Sequence, residues 1–118
     1  MTKKTHEGYQ QHLRDVMKVI ETTYGENITA TATIFTQVRI IPPIALMAAM
    51  GKDVPDPEYI AFSVAKALND RYKKDSDPVE MAEGLGQSIM ENPQILFSIL
   101  DEAMELTQDA GYGDIEEF

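Results

Sequence analysis

The chain has no cysteine and no tryptophan. Without cysteine there is no disulfide staple, no thiolate metal site and no thiol nucleophile, which fits a reducing, cytoplasmic setting. A second absence is more selective. The last 44 residues, Asp75 to Phe118, contain neither lysine nor arginine. They hold twelve carboxylates, whereas the first 74 residues carry eight acids and ten bases. The net charge of −10 therefore arises entirely in the second part of the chain. A third absence is a long apolar run. The longest stretch, Ile40 to Met50, contains Pro42 and Pro43 and is well short of the ~20 residues that span a bilayer. Residues 1–12 are polar, so no targeting leader is expected. These features point to a soluble acidic protein. They argue against nucleic acid or an anionic membrane as a direct ligand, because either would be repelled.

At 118 residues the chain is long enough for one domain with a real core. Its punctuation is helical. Asp56-Pro57, Asp77-Pro78 and Asn92-Pro93 each place a capping residue before a proline. Proline suits the first helical position, where its missing N–H would have no intrahelical partner. Glu80 follows Asp77 by three residues, an acidic form of the capping box. Gly25, Gly51 and Gly111 stand where helix ends need positive φ.

Between these marks the apolar residues recur at about 100° per residue. One stripe is Tyr9, Leu13, Val16, Met17, Ile20 and Tyr24. A second is Ile60, Ala61, Val64, Ala65, Leu68 and Tyr72. A third is Val79, Ala82, Leu85, Gly86, Ile89 and Met90. The fourth, Ile95, Leu96, Ile99, Leu100, Ala103, Met104 and Leu106, is broad enough to predict a central helix. Segment 28–41 is ambiguous. Ile28 to Ile34 alternates and is rich in β-branched residues, a local strand signal. A strand needs a partner and the chain offers no second one, so it would pair only with its copy in a dimer. The preferred reading is a helix from about Asn27 to Ile41 and a short helix from Pro43 to Met50. The expected fold is all-α: a compact bundle of four to five helices over 1–110, with an acidic tail at 111–118.

Few residues point to chemistry. The two histidines, His6 and His12, are six apart and do not share a helix face; His12 is placed to reach Asp15 one turn on. There is no glycine-rich phosphate loop and no Ser/His/Asp clustering, so no catalytic residue is assigned. Glu80 and Glu83 are three apart on one helix, and Glu102 and Glu105 three apart on the next. A turn near Asn92 would bring both pairs to the same height, as a Mg²⁺ site requires. This spacing resembles the Glu-x-x-Glu … Glu-x-x-Asp signature of the all-α nucleotide pyrophosphohydrolases, and departs from it at Glu105. The resemblance implies a Mg²⁺-dependent enzyme, but the same residues also read as the solvated faces of amphipathic helices. That second reading leaves no metal and no cofactor.

Ala82 with Gly86, and Gly84 with Ser88, are small residues four apart that would let another helix approach closely. The seven methionines read first as core filler and second as an adaptable binding surface. Lys66, Arg71, Lys73 and Lys74 complement a helix C-terminus. The end of the chain, Gly111 to Phe118, resembles the acidic, phenylalanine-terminated tips with which bacterial single-stranded-DNA-binding proteins recruit partners.

The functional expectation is a non-enzymatic inhibitor, adaptor or assembly factor that docks on a basic protein surface. Its contact residues would be Glu80, Glu83, Glu91, Asp101, Glu102, Glu105, Asp109 and Phe118. The alternatives are the pyrophosphohydrolase-like enzyme and a structural oligomer, such as a homodimer, that uses Ile28–Met50 as its contact.

Overall fold

The computed structural model describes residues 6–110. The expectations for Gly111, Phe118 and the rest of the tail lie outside them. Six α-helices follow in order: α1 His6–Tyr24, α2 Glu26–Phe35, α3 Ile41–Ala49, α4 Pro57–Arg71, α5 Pro78–Glu91 and α6 Gln94–Ala110. A π-helical turn, Thr36–Ile40, joins α2 to α3. The two helices and the turn form one rod, so the protein is a compact all-α bundle of five rods. No strand occurs among the described residues.

The strand-like segment is helical because helical spacing buries one apolar face against the body, which overrides its local β propensity. Thr29, Thr31 and Thr33 donate their hydroxyls to the carbonyls of Gly25, Asn27 and Thr29, four residues back, at 2.7, 2.7 and 2.8 Å. Polar side chains that would compete with the helix thus bond along it. Ile28, Ala32 and Phe35 form the buried face, while Ile34 is exposed. The alternation of the sequence therefore gave way to helical spacing.

Pro42 and Pro43 do not break the rod, contrary to the sequence expectation of two separate helices. In an unbroken α-helix their rings would meet the carbonyls of Val38 and Arg39 and leave those acceptors without donors. The π turn changes the ladder just ahead of them: the Ile41 amide reaches back five residues to the Thr36 carbonyl. The result is a helical span of 24 residues, Glu26–Ala49, long and apolar enough to cross a membrane by length and composition. The span includes Glu26 and Arg39, and the uninterrupted apolar stretch remains Ile40 to Met50.

The central helix is α4, not α6 as the sequence predicts. It packs against α1, α2 and α6. Tyr59, Ile60, Ala61, Ser63, Val64, Ala65 and Leu68 are all buried in it. Five of these have small or β-branched side chains, which let neighbours close in on several sides at once. Ile20 and Tyr24 of α1, Ile28 and Ala32 of α2, Met81 and Leu85 of α5, and Ile99 and Ala103 of α6 complete the core. The third stripe is rotated from its expected setting. Met81 is fully buried, while Val79 and Met90 are 61 % and 78 % exposed.

Helix ends mix expected and unexpected chemistry. Asp77 caps α5 by accepting the Glu80 amide at 3.1 Å. Asp56, by contrast, makes no side-chain cap for α4; its own amide donates to Thr107 Oγ1 at 2.9 Å and ties the α4 entrance to α6. Gly25 joins α1 to α2 at φ 89°, a conformation that other L-residues rarely adopt. Gly84 answers a different need. A Cβ there would lie 1.9 Å from Tyr72 Oη. The small residues of α5 thus do permit close approach, in this case by the end of α4.

Gly84→Ala tests that packing. Helix propensity alone favours alanine by about 1 kcal/mol, but overpacking costs ~1–3 kcal/mol. We expect a net loss of about 1 kcal/mol in denaturant unfolding. Most of the loss should disappear in a Tyr72→Phe background, which removes the colliding oxygen. Equal losses in both backgrounds would refute the contact.

Candidate functional site

The seven acids singled out in α5 and α6 remain at the surface. Glu80, Glu83, Glu91, Asp101, Glu105 and Asp109 are exposed, and Glu102 is half-buried. Gln87 Nε2 donates to Glu91 at 2.8 Å. Glu102 is already engaged within the fold: Lys66 Nζ of α4 lies 2.7 Å from its Oε2. This hydrogen bond, with the attraction of the Glu102 charge, pushes the Lys66 ammonium pKa up. Glu102 therefore faces α4 rather than joining Glu80 and Glu83. Among the described residues no group of three or more His, Asp or Glu side chains is gathered so as to hold a metal ion. The expected matched-height alignment of the two glutamate pairs does not produce a carboxylate cluster. The helices explain why: α5 packs chiefly on α2, and α6 chiefly on α4.

A second constellation escaped sequence reasoning. His12 of α1 meets Tyr59 of α4 through a hydrogen bond between Nε2 and Oη. Their rings are 5.7 Å apart and tilted at 49°. The expected reach of His12 toward Asp15 gives way to this cross-helix pair, and Asp15 accepts from Gln11 at 2.9 Å. The pair opens on an apolar cleft of about 300 Å³, walled by Val16, Val19, Phe62 and Leu106. Next to Tyr59, Glu58 Oε2 is buried with no hydrogen-bond partner among the described residues. Burial pushes the Glu58 carboxyl pKa up. Its backbone hydrogen bond opposes the shift, the Asp56 charge adds to it, and His12 opposes it. His12 and Tyr59 are 47 residues apart, so no local spacing rule finds them. The only sequence signal was the acidic entrance Asp56-Pro57-Glu58, which reads as a cap.

The methionines also depart from expectation. Met81 fills the core, but Met47, Met50 and Met90 are 39 %, 66 % and 78 % exposed. Leu46 is exposed beside the first two, and Val38 and Ile34 are exposed further back along the rod. Ile44 is the one buried residue of α3. Comparison with protein families, with curated proteins and with solved structures finds no match to this chain.

The Glu58 carboxyl gives a pH prediction. Its folded pKa lies above the unfolded reference of 4.5. The native state therefore holds this proton more tightly, and its contribution to stability is lost as pH rises from 4.5 through the folded value. Glu58→Gln removes the buried charge while keeping an acceptor oxygen. We expect the variant to melt higher than the parent at pH 7, with the gap closing as pH falls toward 4. A gap that is constant between pH 4 and pH 7 would contradict the assignment.

Proposed function

We propose that this protein is a non-enzymatic binding protein, an inhibitor, adaptor or assembly factor, that docks its acidic helices on a basic protein surface. One observation carries this reading: α5 and α6 hold their carboxylates in solvent, and the one ion pair found among the described residues is Lys66–Glu102. Exposed charges add little to stability, and so many of one sign repel one another in the folded state. Their concentration on two adjacent helices is more useful for steering a partner than for holding the fold. Such a surface attracts lysine- and arginine-rich faces and repels nucleic acid and anionic lipid. The absence of cysteine is compatible with a cytoplasmic setting.

The test is capture from cell lysate at low and moderate salt, then association kinetics with the captured partner. Basic proteins should be retained at low salt and released as screening shortens the reach of the acids to about 8 Å. Glu83→Gln with Glu105→Gln should slow association by roughly three- to ten-fold and leave dissociation nearly unchanged. Retention of neutral partners regardless of salt, or an unchanged association rate in the double variant, would contradict the proposal.

A further inference from the structure

We infer that α3 is a self-association surface, on which a second copy of this chain seats its own α3 about a two-fold axis. The inference stands independently of acidic docking. From Ile40 to Met50 the chain has no charged residue, and from Ala45 to Met50 every residue is exposed. Leu46 and Met50, one turn apart, are 64 % and 66 % exposed. Ile34 and Val38 extend the apolar surface down the same rod at 60 % and 63 %. Solvent-facing apolar patches of this extent mark contact surfaces rather than ordinary exterior.

Area and charge select the occupant. A stable partner face takes about 800 Å², near a tenth of a small protein's surface. Between Ile34 and Met50 twelve residues are exposed, and all but Gln37 and Arg39 are apolar. A notch of about 160 Å³ lies beside the π turn, lined by Phe35, Ile40, Ile89 and Leu96 together with Arg39. A basic partner would find no carboxylate along α3. A molecule carrying −10 can approach its own copy only where it presents no acid, and this helix is such a place. Its relief also suits a copy of itself. Leu46 and Met50 project, while Ala45 and Ala49, four apart, leave room for a facing helix to come close. Two-fold pairing is self-complementary, closes after two subunits and is the commonest symmetry of homo-oligomers.

The experiment is sedimentation equilibrium of the full chain across concentration and salt, with vesicle co-sedimentation alongside. We expect a species of twice the 13.2 kDa chain mass. Its dissociation constant should fall several-fold from about 50 to about 500 mM salt as the two −10 charges are screened. Acidic docking responds to salt in the opposite sense, so one can fail without the other. Leu46→Glu with Met50→Glu should weaken the dimer by at least about ten-fold with an unchanged far-UV circular dichroism spectrum. Should that variant fail to fold, the parent decides alone, because the melting temperature of a dimer rises with protein concentration. A monomer at all concentrations, a dimer that survives the double substitution, or a monomer that co-sediments with phosphatidylcholine vesicles would overturn the inference.

Discussion

The burial of α4 on several sides is the constraint from which the rest of the structure follows. A helix whose Ile60, Val64, Ala65 and Leu68 are all inaccessible to water has to be covered by several neighbours. Helices α1, α2 and α6 supply that cover, and α5 closes on α2. The arrangement uses the apolar faces of those helices and leaves their polar faces outward. It also decides where charge can go. Deep in such a core a charge would be costly, so the carboxylates of α5 and α6 stay at the rim and the surface. Glu58 is the exception, at the α4 entrance where burial is partial.

The same constraint isolates α3. Ile28, Ala32, Phe35 and Ile40 of the rod reach the core, but beyond Ile44 the rod extends past the body. The rod continues because the π turn accommodates Pro42 and Pro43. An apolar helix is thereby held out in water by a rigid support. The acidic helices and the bare helix are two surfaces with opposite chemistry, and the two proposed contacts differ in the sign of their salt dependence. We propose that the chain assembles with itself through one and meets a basic partner through the other.

Much of the fold was legible in the sequence because its signals were local. The Asp77 cap, the Gly25 and Gly51 turns and the stripe of α4 depend on residues within a turn or two of one another. The helical state of 28–41 was readable only by elimination, since β-branched alternation favoured a strand and the burial of Ile28, Ala32 and Phe35 at helical spacing depends on tertiary packing. The role of α4 as the centre was hidden. A broad apolar stripe such as that of α6 looks more central than α4, yet small buried side chains such as Ala61, Ser63 and Ala65 are what allow close neighbours on several sides. The site was legible in part. The exposure of the α5 and α6 acids follows from helical periodicity. The Lys66–Glu102 pair and the His12–Tyr59 cleft depend on tertiary juxtaposition across 36 and 47 residues, which no spacing rule reaches.

Native-state hydrogen exchange, resolved by residue and run at two protein concentrations, tests the central claim most directly: that α4 anchors the fold and α3 stands outside it. The amides of Ile60 to Leu68 should exchange slowest, with the free energy of global unfolding at either concentration. Those of Ala45 to Met50 should exchange orders of magnitude faster in dilute solution and slow as concentration rises. Protection of α3 equal to that of α4 in dilute solution would show that α3 belongs to the cooperative core and would contradict the account.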